Sequence, residues 1–254
     1  MDNATYFNKG NFSQLVYDEL GLRTDNGLST FQIQPRVQIT WDFNDKHTDI
    51  LRIGGGIFAS DINNYAMINN MVFDGTKVMS VDIKNTEEEP DIVPTPDFIG
   101  YRKDPSTAPG IDLLNNPKYA DKAVPTINMN SKDAKVPVVY KANISYTHFF
   151  SDRLKMSVSG YMTLGRNNYM YIDRNMVDDP YFRLSAEGNR GIYVPASTIG
   201  KDGTLDWMEG RKSTKVGRVL ELVSEGKVNQ FAFTVDGTWR YYKDGELSFS
   251  YTWN

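Results

Sequence analysis

The chain of 254 residues offers 32 Asp and Glu, 28 Lys and Arg, two histidines and no cysteine, and these bound the chemistry open to it. Paired carboxylates could serve sugar hydrolysis, but that work depends on a separation in space that no spacing here sets. The absence of cysteine removes disulfides, thiolate metal ligands and thiol nucleophiles together. His47 and His148 lie far apart and supply a metal site or a nucleophilic triad poorly. Asp202-Gly203-Thr204-Leu205-Asp206 and the pair Asp178-Asp179 have the residue types of a calcium loop without its full ligand spacing, and turn chemistry accounts for both. Gly54-Gly55-Gly56 lacks the lysine of a phosphate loop and falls inside a strand pattern, so it reads as close backbone packing or a strand bend. Catalysis is not indicated, and neither a cofactor nor a metal is expected. The densest basic stretch, Arg211-Lys212-Ser213-Thr214-Lys215, is modest and the formal charge is −4, which excludes a nucleic-acid partner held through phosphate neutralisation. The residues left to bind a ligand are aromatics on long polar segments: Tyr65, Phe73, Phe98, Tyr101, Tyr181, Phe182, Tyr193 and Trp207. Exposed rings on loops are common recognition surfaces, the alternative being that they pack the loops on themselves.

The elements that must carry these loops are strands. From Phe31 to Phe43 apolar and polar residues alternate strictly, with Ile33, Val37, Ile39 and Trp41 on one side and Gln32, Gln34, Arg36, Gln38 and Thr40 on the other. This period of two predicts one long strand with an apolar and a polar face. The pattern resumes at Leu51, Ile53 and Ile57 after a short polar turn, predicting a hairpin over 31–60. A second hairpin is predicted over 136–171 with its turn at Ser151-Asp152-Arg153, and a third over 228–254 with its turn at Lys243-Asp244-Gly245. Between them lie long polar segments at 1–30, 61–135 and 172–227, with a further short strand expected from Val216 to Val223. Pro90, Pro94, Pro96, Pro105, Pro109 and Pro117 interrupt the first long loop, and Glu87-Glu88-Glu89 reads as a solvated run. Short turns therefore gather at one end of the sheet and long loops at the other.

That asymmetry and the strand length point to a membrane. Soluble strands average five or six residues, whereas a tilted strand needs about 9 to 11 to cross a bilayer. Rings flank each short turn: Trp41 and Phe43, Phe149 and Phe150, Tyr241 and Tyr242. Amphipathic rings favour the headgroup zone, and Tyr169, Tyr171, Tyr251 and Trp253 are expected to form a second girdle at the loop side. No run of 18 apolar residues is present, and the first ten residues show neither the basic start nor the apolar run of a secretory signal. Aromatic residues make up 13% of the chain, a β-leaning composition. The expected fold is all-β: an antiparallel transmembrane β-barrel, partial, because about six spanning strands cannot close where at least about eight are needed. The competing reading is a soluble β-sandwich that binds carbohydrate or protein, in which a second sheet covers the apolar faces.

Several short motifs carry a family resemblance. Leu22-Arg23-Thr24-Asp25-Asn26 followed by Phe31-Gln32-Ile33-Gln34-Pro35-Arg36-Val37 resembles the "RTDN … F-x-x-x-PR-(V/L)" stretch of TonB-dependent receptors of the Oar-like type. Leu51-Arg52-Ile53-Gly54-Gly55-Gly56-Ile57-Phe58 is similar to that family's next strand, and Tyr140 to Asn175 to its following hairpin. The resemblance implies a barrel of about 22 strands plugged by a separate domain, which binds a substrate outside the cell and takes it up with energy transmitted through TonB. It places this chain in the outer membrane of a Gram-negative bacterium as one part of that single barrel domain, in contact with outer-membrane lipid. An unidentified extracellular substrate would meet its loops, and TonB would be reached only through an N-terminal part that this sequence does not include.

Overall fold

The computed structural model describes residues 2–6, 12–80, 98–104, 124–243 and 245–254. Pro90, Pro94, Pro96, Pro105, Pro109, Pro117, the run Glu87-Glu88-Glu89 and Asp244 lie outside the described residues. The strands are β1 (Asp2–Tyr6), β2 (Leu28–Gln32), β3 (Arg36–Asp42), β4 (Asp49–Ala59), β5 (Asp74–Ser80), β6 (Val124–Asn130), β7 (Val138–Ser151), β8 (Leu154–Asp173), β9 (Phe182–Leu184), β10 (Arg190–Ile192), β11 (Val219–Tyr242) and β12 (Gly245–Trp253). Three short α-helices accompany them: α1 (Gln14–Leu20), α2 (Asn64–Val72) and α3 (Phe98–Lys103). The fold is all-β, and its main sheet has eight strands in the order β3-β4-β7-β8-β11-β6-β5, with β12 beside β11. Six of these, β3, β4, β7, β8, β11 and β12, pair antiparallel in succession, and the sheet stays open, as a partial barrel must.

Residues paired across strands point the same way, so most large apolar side chains of this wall gather on one face, with Phe58, Val139, Phe149 and Tyr161 among the exceptions on the other. One row reads Ile39, Ile53, Ile144, Gly160, Phe233 and Trp253 from β3 to β12. The next reads Trp41, Leu51, Tyr146, Val158, Val235 and Tyr251. The opposite face carries rows such as Thr40, Arg52, Ser145, Ser159, Thr234 and Thr252. Val37, Ile39, Trp41, Ile144, Phe231, Leu247 and Trp253 are all exposed, and among the described residues no second sheet covers them.

Three elements differ from the alternation reading. The predicted strand from Phe31 to Phe43 is two strands: β2 pairs with β1 in a separate sheet, and β3 begins the wall. Pro35 lies between them; it has no N–H to give the ladder and biases Gln34 away from helical backbone, so the chain changes sheets there. Conversely, the expected short strand from Val216 and the arm beginning at Gln230 are joined in the 24-residue β11, whose pairing with β8 shifts register at Val223/Gly226 and again at Gly226/Val228. Bulges of this kind keep one strand continuous while breaking its period. Finally, Trp253 pairs with Phe233 and Tyr251 with Val235, which puts both rings level with the middle of β7 and not in a girdle at the loop side.

The tightly packed core sits at the loop end, outside the wall. β6 runs parallel to the start of β11, pairing Val219 with Ile127 and Leu222 with Asn130, and every residue of β6 is buried. Both faces of this pair are covered. Val16 of α1 packs with Ile127, Met129, Val216 and Val219 on one side, while Ala66 and Met67 of α2 pack with Leu28, Val136 and Leu222 on the other. Ser13 caps α1 by accepting from the Val16 amide, and Gly21, at φ 69°, ends it in a left-handed turn that glycine adopts without steric cost. Asn63 caps α2 in the same way, accepting from the Ala66 amide.

Candidate functional site

Asn175 is the hub of the second long loop. It is fully buried; its amide nitrogen lies 2.9 Å from the Ser213 carbonyl, 2.7 Å from that of Val216 and 2.8 Å from that of Gly217, while its Oδ1 accepts from the Ser213 amide at 2.9 Å. One side chain thus supplies the hydrogen bonds that an irregular buried backbone needs. Beside it Arg211 pairs with Asp173 and stacks on Trp207, its guanidinium carbon 5.0 Å from the ring centre. α1 is tied to this loop by Glu19, which accepts from Ser213 Oγ at 2.8 Å and Lys215 Nζ at 2.6 Å. The Lys215 donor, followed by the Ser213 hydroxyl, holds the Glu19 carboxyl below its ordinary range.

Between α1, β6 and β11 lies a cavity of about 470 Å³, lined by Arg23, Lys132, Asp133, Arg174, Glu221 and Glu225 among others. Arg174 pairs with Glu221 at 2.5 Å and also lines a neighbouring cavity of about 330 Å³ with Glu19 and Lys212. The charges of this pair of cavities are mixed, so they suit a polar ligand with both donors and acceptors. On the other side of the cap, burial pushes the Asp74 carboxyl up, but donors from Lys77 and Thr76 outweigh it and leave it lowered to about 2.

The loop aromatics fall into separate groups. Tyr65 stands exposed on α2, and Phe73 ends that helix half-buried. Phe98 and Tyr101 belong to α3, and their side chains are outside the described residues. In the second loop Tyr181 and Phe182 open the β9–β10 hairpin, where the Tyr181 amide donates to Ile192. Tyr193 follows it, and Gly210 abuts the Tyr193 carbonyl, which draws in the turn carrying Trp207. No ring contact joins any two of these aromatics among the described residues. Asp202 Oδ1 accepts from the Thr204 amide and hydroxyl, and Asp178 pairs with Lys212.

A further feature, which the alternation pattern did not reveal, lies on the polar face of the wall. Arg36 stacks on Phe58 at 4.4 Å and Lys141 reaches the same ring at 5.6 Å, beside a hollow of about 420 Å³. Gly54 and Gly56 form its floor. A Cβ on Gly56 would come within 2.9 Å of Arg36 Cγ and 3.0 Å of the Pro35 carbonyl, and one on Gly54 within 2.7 Å of Asn143 Oδ1. The glycine run is therefore close packing, and the signal that could have exposed its role is the register that sets Gly56 between Arg36 and Lys141.

No known family profile matches the chain, and no curated protein does. Solved structures similar to it include the FrpB iron transporter of Neisseria meningitidis, at 8% identity and a TM-score of 0.40 over 91% of this chain and 21% of that one. The outer membrane transporter YddB of Escherichia coli gives 9% identity and a TM-score of 0.43 over 90% of this chain and 20% of the other. The siderophore receptor PirA of Pseudomonas aeruginosa gives 8% and 0.34 over 86% of this chain and 28% of the other. The chain thus spans between a fifth and somewhat over a quarter of the length of these proteins.

Proposed function

We propose that the chain is a section of the wall and extracellular cap of a TonB-dependent outer-membrane receptor, with a role in recognition and energy-dependent uptake and not in catalysis. The observation that carries this is the apolar face running across six strands, opposite a face whose rows are mostly polar. In water each large apolar side chain forgoes roughly 1.5–3 kcal/mol of burial, and rows of them on one uncovered face call for hydrocarbon. The apolar face of β7 runs ten residue steps from Tyr140 to Phe150. That is roughly 33 Å along a strand, or roughly 25 Å of height at a tilt of about 40°, the height of the apolar band in outer-membrane barrels. Phe43, Phe150 beside His148, and Trp239 beside Tyr241 mark the turn end, where the polar pair Asp49 and His148 also lies. The free edges of β3 and β12 need neighbouring strands in lipid, since unpaired backbone there costs several kcal/mol per group.

In this reading the wall anchors the protein in lipid, and the cap, with its paired cavities and the aromatics Tyr65, Tyr181, Phe182, Tyr193 and Trp207, meets the substrate. The four tryptophans give a direct test, because Trp41, Trp239 and Trp253 lie on the apolar face and Trp207 in the cap. Single-tryptophan forms of the assembled receptor, reconstituted with lipids brominated on their acyl chains, should be quenched at the first three positions and not at the fourth. A β-sandwich would leave all four unquenched and remain monomeric without detergent.

A further inference from the structure

We propose that the hollow formed by Arg36, Lys141, Phe58, Gly54 and Gly56 on the polar face of the wall is a binding site for a small organic carboxylate. The inference rests on the proposed assignment of this face to the aqueous interior. Gly56 pairs with Arg36 on one side and Lys141 on the other, so the two cations start two strands apart, about 10 Å, and converge on one ring. Among the described residues neither makes an ion pair or hydrogen bond, and no carboxylate lines the hollow. Two like charges drawn onto one ring with no counter-charge repel each other, and an anion between them relieves that repulsion. The geometry selects the kind of anion. A guanidinium whose carbon lies 4.4 Å from the Phe58 ring centre, and which makes no hydrogen bond of its own among the described residues, keeps its planar N–H fork for a carboxylate in bidentate fashion, while Lys141 adds a second, mobile donor. The missing side chains of Gly54 and Gly56 keep the floor open, and about 420 Å³ is within the range of small-ligand pockets. Asn143 and Gln38 at the rim can orient the rest of the molecule by hydrogen bonds.

The experiment follows acylation of Lys141 by a water-soluble amine reagent, read by peptide mass spectrometry, in the assembled receptor with and without glutarate at matched ionic strength. Lys155, exposed on the same face and far from Phe58, is the internal reference. At ten times the dissociation constant, glutarate should slow Lys141 about tenfold by simple occupancy and leave Lys155 unchanged. Arg36→Gln should abolish the protection. Arg36→Lys, which keeps the charge but not the fork, should abolish most of it and stands in where the first variant fails to assemble. Should Lys141 be protected without glutarate and released by either substitution, the carboxylate is supplied by another part of the receptor, and the site stands with that source. Equal Lys141 rates under every condition, or protection undiminished in Arg36→Lys, overturn the proposal. Inertness of Lys141 in all forms would overturn the face assignment too, whereas quenching of Trp41, Trp239 and Trp253 with equal Lys141 rates would remove the site and leave the wall.

Discussion

Replacing Ile144 by arginine tests the wall at its most demanding point. Ile144 lies in the central row of the apolar face, between Ile53 and Gly160, and is half exposed. It is seven residues from Ser151 at the turn. That is roughly 23 Å along the strand and roughly 17 Å of depth at a tilt of about 40°, close to the middle of a hydrocarbon core about 30 Å thick. Its neighbours in the row are Ile39, Ile53, Gly160 and Phe233, so a guanidinium there meets no carboxylate at that level. A midplane arginine on the lipid face costs roughly 2–4 kcal/mol, which is about a 30- to 900-fold loss in the folding equilibrium. Thr234→Arg adds the same charge one residue from Phe233 of that row but on the polar face, where water can solvate it, and is expected to cost under about 1 kcal/mol. Urea-dependent folding of the protein into phosphatidylcholine vesicles measures both. Equal costs for the two substitutions would refute the assignment of faces, and a negligible cost for Ile144→Arg would refute the membrane reading itself.

Asn175→Ala removes the partner of three buried carbonyls and one amide, each costing about 1–3 kcal/mol when left bare; rapid proteolysis within 211–218 should follow while the wall stays intact. Because Glu19 has a lower pKa folded than unfolded, its contribution is complete above the unfolded value of about 4.3 and is lost as pH falls through the folded one. The protection of α1 amides relative to their intrinsic exchange rates should therefore be steady from about pH 5 to 8 and fall below about pH 4, whereas Asp74, at about 2, should keep its contacts to lower pH. Gly237→Val should cost under about 1 kcal/mol, since the Phe249 ring 2.4 Å from the new Cβ can swing into lipid, while Gly56→Val meets the Pro35 carbonyl and should cost about 1–3 kcal/mol; urea titration compares them.

The wall was legible because a strand with one apolar and one polar face must alternate, and β3, β4, β7, β8 and β12 do. The cap was not legible for the opposite reason. β6 reads Val124-Pro125-Thr126-Ile127-Asn128-Met129-Asn130 and is buried throughout, so helices on both of its faces erase the period of two, and its parallel pairing with β11 joins residues almost a hundred positions apart. The same masking hid the continuity of β11, whose bulges around Gly226 reset the alternation between its two halves. Asn175 gave no sign in sequence, being one of two asparagines in a polar loop with Asn189, and its importance lies wholly in the carbonyls folded around it. Pro35 was visible, yet alternation on either side of it concealed that the chain changes sheets there.

The 24-residue β11 has a mechanical consequence. It grips β6 with its first residues, β12 with its last, and β8 along nearly its whole length. Strain imposed on the cap, by a ligand wedged against Glu221 for example, loads the backbone hydrogen bonds of β11 in shear, many at once, where a flexible hinge would have let them break singly. Force therefore travels from the cap to the Tyr241 ring as through a strut, and the bulges at Gly226 are its weakest joint.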